Sequence, residues 1–159
     1  MLEDIHDSFE LGTILRCAEA FGITGMLCVM QNVTSHFLSG KTITSSTGAI
    51  FHLNLSVSEG TAGAVSHCRG HGMQLIAAMP HCNEDLAGSD FPSFLTPCAV
   101  ALGNEADGLS LELLAGADTC VRIELFGIME SLNVAETIAI VLHAVAMEEH
   151  KSDTVEGKK

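Results

Sequence analysis

The feature that most constrains the fold is a regular alternation along the chain. Short apolar runs bounded by glycine or polar residues alternate with segments whose apolar residues recur at helical spacing. This pattern indicates an α/β fold with a mainly parallel sheet flanked by helices. The apolar runs predict strands at residues 25–30, 50–55, 73–78, 98–102 and 119–123. The segments between them predict helices at residues 12–21, 35–40, 59–70, 109–115 and 132–149.

The length of the chain favours one domain. A chain of 159 residues can bury a sizeable core. We expect residues 1–149 to form this domain and residues 150–159 to form a polar, disordered tail. No apolar run approaches the roughly 18 residues that a membrane-spanning helix needs, and the N-terminus MLEDIHDS lacks the charge order of a signal peptide. The sequence therefore predicts a soluble, cytoplasmic protein without membrane association.

Cysteine and histidine residues raise the questions of disulfides and metal binding. The six cysteines form no CxxC pair, and most lie in apolar runs, so we expect buried free thiols in a reducing compartment rather than a disulfide framework. His67, Cys68 and His71 are near His81 and Cys82 in sequence, which suggests zinc. A strand about 20 Å long separates the two groups, however. No metal site is predicted.

The charge of the chain is strongly negative. It carries 20 acidic and 7 basic residues, for a net charge of −13. Proteins that bind nucleic acid through its phosphates normally present a basic face. Outside the C-terminal tail, the basic residues of this chain are Arg16, Lys41, Arg69 and Arg122. Composition alone therefore does not favour RNA or DNA binding.

Three stretches rich in glycine and polar residues lie near predicted strand ends or helix starts, where open α/β sheets bind ligands. They read ELGTILRCAEAFG from Glu10, LGNEADGL from Leu102, and IELFGIMESLNV from Ile123. Taken singly, each has a structural explanation, because glycines permit tight turns and serine or asparagine caps helices. Their order and separation make the functional interpretation stronger than these separate explanations.

Together the three stretches resemble the motifs of SpoU-type tRNA/rRNA 2′-O-ribose methyltransferases of the SPOUT superfamily. The family patterns are N-x-G-x-x-x-R-x-A-x-x-F-G, L-G-x-E-x-x-G-[LM] and I-P-x-x-G-x-x-x-S-L-N-V. The segment SSTGAIFHL from Ser45 also resembles a connecting segment of the family. The resemblance covers about residues 5–147. It implies a C-terminal trefoil knot, a homodimer, and S-adenosyl-L-methionine as the cofactor.

The family motifs assign roles to particular residues of this chain. Cofactor contacts fall on Leu102, Gly103, Ile123, Gly127 and Leu132. The resemblance places the positioning and deprotonation of a ribose 2′-hydroxyl on Arg16, Glu105, Ser131 and Asn133. It also implies that Arg16 and Lys41 contact RNA. Arginine is a poor proton acceptor because its pKa exceeds about 12, so we expect Arg16 to hold the phosphate and the 2′-oxygen.

Two charged substitutions depart from the family motifs. Glu10 replaces the usual asparagine of the first motif, and we expect its carboxylate to pair with Arg16 and to repel phosphate. Glu124 replaces the usual proline of the third motif, which frees the backbone there and adds negative charge near Glu130 and Glu136. These changes affect RNA recognition more than cofactor binding.

The resemblance therefore supports an RNA 2′-O-methyltransferase, with tRNA favoured over rRNA as the substrate. An alternative from a different class is a catalytically impaired knotted dimer that binds the cofactor or protein partners without methylating RNA. A methyltransferase acting on another acceptor is a third reading. The last predicted helix is apolar on several faces, which supports a homodimer.

Overall fold

The computed structural model describes residues 1–29, 37–82, 94 and 97–156. Its strands, in chain order, are β1 (Leu2–Glu3), β2 (Gly25–Val29), β3 (Asn54–Ser58), β4 (Gln74–Ala78), β5 (Cys98–Ala101) and β6 (Thr119–Val121). Its helices are α1 (Ser8–Ala20), α2 (Gly40–Ser45), α3 (Thr61–Gly70), α4 (Leu111–Gly116) and α5 (Val134–Glu156), with a 3-10 turn at Ala49–Phe51.

The strands form parallel sheets, as predicted. One sheet has the order β1-β2-β3 and the other the order β5-β4-β6. A parallel bridge between Leu2 and Leu102 links them, with the Glu3 amide donating to the Leu102 carbonyl at 2.9 Å. The carboxyl ends of β4, β5 and β6 therefore share one edge, where ligands bind in open α/β folds.

Helices α1 and α5 supply much of the core. Leu11, Ile14 and Leu15 of α1 are fully buried, as is Val141 of α5. Burial of each such side chain contributes roughly 1.5–3 kcal/mol relative to exposure. Gly12 lets α1 approach α2 closely, because an added Cβ would collide with the Ser45 side chain. This packing fixes the N-terminal turn of α1, which carries Glu10.

Three predicted elements have different limits in the structure. Residues 49–51 form a 3-10 turn, preceded by Thr47 and Gly48 at positive φ, so the strand predicted at 50–55 begins only at Asn54. The helix predicted at 35–40 falls partly on residues 30–36, which lie outside the described chain. The described helix α2 begins only at Gly40, where the Ser39 hydroxyl caps it by accepting from the Thr42 amide.

The last helix also differs from its prediction. It begins at Val134 rather than 132 and continues to Glu156, beyond the predicted end at 149. The residues from 150 to 156 read HKSDTVE, and only lysine and glutamate among them have high helix propensity, yet the helix continues through all of them. The division into a domain and a separate tail stays a prediction. Within the described residues, no helix has both the length and the apolar character needed to cross a membrane.

The expectation that all cysteines are free thiols is wrong for one pair. Cys82, which follows β4, is bonded to Cys120 of β6 across 38 sequence positions. Parallel pairing of β4 with β6 brings these distant residues to the same sheet edge, which spacing in the sequence does not reveal. Cys17, Cys28 and Cys68 are free, as is Cys98. Burial raises the pKa of the Cys28 thiol to about 12, which makes it chemically inert.

Candidate active site

A cleft of about 840 Å³ lies at the carboxyl edge of β4, β5 and β6. Three segments form most of its walls: the end of β4, the loop after β5, and the segment between β6 and α5. The residues that line it include Ala78–His81, Leu102–Glu105, Asp107–Leu109, Arg122–Leu125 and Met129–Val134. The cleft is thus built mainly from segments that follow parallel strands.

The loop after β5 has a tightly defined conformation. An added Cβ on Gly103 would collide with the Gly108 carbonyl, so only glycine fits this close approach. The Asn104 Oδ1 accepts hydrogen bonds from the amides of Ala106 and Asp107 at 2.9 and 2.8 Å. Gly108 closes the turn at a φ of +69°. The loop therefore presents a fixed backbone to the cleft.

The far end of this loop is anchored by a buried carboxylate. Glu3, only 5% exposed, accepts hydrogen bonds from the Ser110 amide at 2.7 Å and from the Ser110 hydroxyl at 2.8 Å. Thr61 donates a further hydrogen bond to Glu3 at 2.6 Å. Because Ser110 also caps α4, these bonds hold the loop between β5 and α4 at the end where α4 begins.

Asn133 caps the N-terminus of α5. Its carbonyl accepts from the Thr137 amide at 2.9 Å, and its side-chain Oδ1 accepts from the Ala135 amide at 2.8 Å. The Asn133 amide donates in return to the Glu136 carboxylate at 3.3 Å, which completes a capping box. Since Oδ1 is committed to the helix, the orientation of the side-chain amide is fixed, and Nδ2 points away from the helix.

The Asn133 Nδ2 group bridges two carboxylates. It donates to Glu10 Oε1 at 2.8 Å and to Glu105 Oε1 at 2.9 Å. Burial and the nearby Glu105 carboxylate raise the pKa of Glu10, while the hydrogen bond from Asn133 opposes this shift and the Asp7 carboxylate adds to it. The bridge joins α1, the loop after β5 and the start of α5.

The expected pairing of Glu10 with Arg16 is wrong. Arg16 lies six residues further along α1, about 9 Å along the axis and on another face of the helix. Its side chain is exposed and makes no ion pair among the described side chains. Sequence spacing suggested the pair, but the helix directs Glu10 toward Asn133 instead.

The cleft is acidic. Four carboxylate residues line it, namely Glu105, Asp107, Glu124 and Glu130, together with one arginine, Arg122. Such a lining is compatible with a cationic group and unfavourable for closely approaching phosphates. Within the described residues, no group of three or more histidine, cysteine or acidic side chains is arranged to hold a metal ion.

The structure brings most of the predicted site residues together. The residues of the second and third motifs that line the cleft are Leu102, Gly103, Glu105, Ile123, Ser131, Leu132 and Asn133. Gly127, Arg16 and Lys41 are exposed and do not belong to the lining. Sequence reasoning missed the end of β4, although its apolar run predicts a strand whose carboxyl end shares this edge.

Comparisons with known proteins agree with this architecture. Residues 1–143 match the sequence profile of the SpoU rRNA Methylase family. A tRNA (guanosine(18)-2′-O)-methyltransferase of Escherichia coli K12 is 25% identical over 142 residues, which are 89% of this chain and 59% of that protein. A 23S rRNA (guanosine(2553)-2′-O)-methyltransferase of Bacillus subtilis is 28% identical over 148 residues, 90% of this chain and 55% of that protein.

A solved structure of an rRNA methyltransferase is also similar to this chain. The crystal structure of an AdoMet-bound rRNA methyltransferase from Sinorhizobium meliloti is 28% identical, with a TM-score of 0.78 over 90% of this chain and 53% of that chain. This chain therefore spans between half and two thirds of the length of each of these three proteins. The profile match extends over nearly all of the described fold, and the chain belongs to the SpoU rRNA methylase family.

Proposed function

We propose that this chain is an S-adenosyl-L-methionine-dependent RNA 2′-O-ribose methyltransferase. The observation that carries the proposal is the single cleft in which Gly103, Glu105 and Asn133, which are far apart in sequence, meet. Relatives that act on tRNA and rRNA share this family. The resemblance favours tRNA as the substrate over rRNA. The trefoil knot implied by the family belongs to the same proposal.

The cleft fits the proposed cofactor in size and lining. Small-molecule sites typically enclose about 300–1,000 Å³, and this cleft encloses about 840 Å³. Backbone groups of Leu102, Gly103 and Leu132, with the side chain of Ile123, would hold the cofactor, and Gly127 lies in the same loop. When bound, the cofactor supplies an electrophilic methyl group on a cationic sulfur. The acidic lining is compatible with that positive charge.

The chain's own residues supply positioning and proton transfer. Ser131 and Asn133 stand at the mouth of α5, where Ser131 can orient the acceptor hydroxyl and Asn133 holds the Glu105 carboxylate. Glu105 is on the same wall, is hydrogen-bonded to Asn133, and is the carboxylate to which the resemblance assigns a catalytic role, so we assign proton acceptance to it. The resemblance assigns Arg16 to an RNA phosphate and the 2′-oxygen, and Lys41 to RNA; both side chains are exposed and cationic, which fits contact with phosphates.

We also propose a homodimer in which the site is completed across the interface. Arg16 is exposed and outside the cleft of its own chain, so a second copy would have to bring it there. Unpartnered apolar side chains support association: Phe9 of α1 is 67% exposed, and Ile140 and Met147 of α5 are 43% and 48% exposed.

Binding and methylation assays test the proposed activity. Calorimetric titration with S-adenosylmethionine and with its demethylated product should show binding of both, and bulk tRNA should bind at low salt. Radiolabelled methyl transfer should then yield a dinucleotide that resists alkaline cleavage, the signature of a methylated 2′-oxygen. Cofactor binding without tRNA binding would favour the impaired dimer. Absence of cofactor binding would refute the proposal.

Mixing two inactive variants tests the shared site. Arg16→Ala and Asn133→Ala should each reduce methylation about 100-fold, the range expected when one positioned group is lost. If Arg16 acts in the partner's cleft, mixing equal amounts restores one intact site in each mixed dimer. About a quarter of wild-type activity should return, because half of the dimers are mixed. Recovery would not occur if both residues served the same cleft.

A further inference from the structure

The bridge formed by Glu10, Asn133 and Glu105 is the feature of the site that the family motifs do not account for. The first motif normally carries asparagine, which is neutral, where this chain has Glu10. The bridge therefore places a second carboxylate beside Glu105. Both carboxylates bind the same Nδ2 group, at 2.8 and 2.9 Å.

The geometry places the two acceptor oxygens close together. The two hydrogens of an amide diverge by about 120°, so acceptor oxygens on both of them lie about 5 Å apart. Like charges at this distance disfavour double ionisation, and such a pair takes up its first proton more readily than an isolated carboxyl group. The raised pKa of Glu10 agrees with this arrangement.

The two carboxylates differ in access to the cleft. Glu105 is exposed and lines the wall, next to Asn133 and Ser131. Glu10 is half-buried on α1 and is not part of the lining. An incoming hydroxyl can thus reach Glu105, whereas Glu10 acts on it only through the shared amide and through its charge.

We propose that Glu10 and Glu105, bridged by Asn133, form a carboxylate pair that receives the proton of the acceptor hydroxyl, with Glu10 as a positioning residue. The inference rests on the proposed methyltransferase function. In the reaction the methyl–sulfur bond breaks and a methyl–oxygen bond forms. The hydroxyl proton passes to Glu105 and then to water, so the cofactor's positive charge is balanced by the released proton.

The charged groups around the pair set its response to pH. Asp7, the N-cap of α1, accepts a hydrogen bond from the Glu10 amide and adds negative charge beside Glu10. Glu136 faces the Asn133 backbone amide from α5. Of these, Asp7 favours proton uptake by Glu10, as Glu105 does. Methylation should therefore rise as pH increases through the apparent pKa of the pair, since only the deprotonated pair can accept a proton.

The test compares Glu10→Gln with the wild type under single-turnover conditions with saturating cofactor. Glutamine keeps the acceptor oxygen for Asn133 but removes the charge. The rising limb of the pH–rate profile should move to lower pH, and the plateau should fall about tenfold as the proton acceptor weakens. Glu10→Asn, which restores the family residue, should move the limb in the same direction. Glu112→Gln, an exposed carboxylate in the first turn of α4, is the matched control and should leave the profile unchanged.

A second measurement does not depend on activity. The side-chain amide resonances of Asn133 should shift with pH in one shared titration in the wild type, and the midpoint of this titration should move to lower pH in Glu10→Gln, where the charge of residue 10 is removed. An unshifted pH–rate limb in an active Glu10→Gln enzyme would overturn this inference and leave the proposed function standing. Wild-type protein that binds cofactor but methylates no RNA would overturn the proposed function, and this inference with it.

Discussion

The cleft wall and the basic residues on the first two helices, Arg16 and Lys41, differ in how many contacts within the chain hold their side chains in place. On the wall, Asn133 bonds to Glu10 across 123 sequence positions and to Glu105 across 28. The loop between β5 and α4, which carries Glu105, is anchored by Glu3. Arg16 and Lys41, in contrast, are exposed, and among the described side chains neither takes part in an ion pair.

This difference separates two kinds of recognition. A wall held by hydrogen bonds before the ligand arrives loses little conformational entropy on binding. Flexible arginine and lysine side chains each carry about 2 kcal/mol of rotamer entropy that RNA must overcome. The cleft wall, the preorganised half of the site, is thus held within one chain. Under the proposed function, Arg16 and Lys41, the open half of the site, would be ordered only by RNA or by a second subunit.

Removal of the Cys82–Cys120 bond should have the largest effect, and it falls on the preorganised half. The bond closes a loop of 38 positions that contains β5 and the Gly103 loop. Cys120→Ser should lower the free energy of unfolding by about 4 kcal/mol in the loop-entropy account. Urea denaturation with and without dithiothreitol measures this loss.

The reductant supplies the control for that prediction. Dithiothreitol should destabilise the wild type and leave Cys120→Ser unchanged, while Cys98→Ser, which alters a free thiol on β5, should keep the response to reductant. Equal urea midpoints for the wild type and Cys120→Ser without reductant would show that the bond contributes no stability in solution.

Substitution of Gly103 should also affect the preorganised half alone, with a smaller loss of free energy than removal of the disulfide. An added Cβ collides with the Gly108 carbonyl, and overpacking of this kind costs about 1–3 kcal/mol. Gly103→Ala should therefore weaken S-adenosylmethionine binding by up to about 100-fold. Gly40→Ala is the control, because its added Cβ meets no atom within 4 Å. Calorimetry that gives equal affinities for both variants would contradict a rigid wall.

The sequence predicted the preorganised half better than the open half. The strands near 25–30, 73–78, 98–102 and 119–123 are confirmed within a few residues, because buried parallel strands require continuous apolar runs. Family membership is confirmed, and the second and third motifs meet in one cleft as their positions after strands imply. Local patterns were sufficient where hydrophobic burial determines the structure.

The errors arose where a contact depends on tertiary placement. Cys82 and Cys120 meet only because β4 pairs with β6, and no spacing rule encodes that pairing. Glu10 was expected to bind Arg16, its neighbour in sequence, yet the helix directs it to Asn133. The end of α5 was placed too early because the residues after 149 were interpreted as a tail, whereas the helix continues through them to Glu156.

Substitution of Lys41 should have the smallest effect and should affect only the open half. Lys41 is exposed on α2, and loss of one phosphate contact lowers the salt dependence of binding by about one unit of slope. Lys41→Ala should therefore weaken tRNA binding about threefold at low salt, through the same electrostatic contribution. Cofactor affinity should not change, because Lys41 is outside the cleft lining.

Arg69→Ala, the control, removes an equal charge near the end of α3, and the salt slope of this variant should match that of the wild type. If both variants reduce the slope equally, tRNA senses only the total charge, and the basic positions on α1 and α2 form no distinct RNA-binding face.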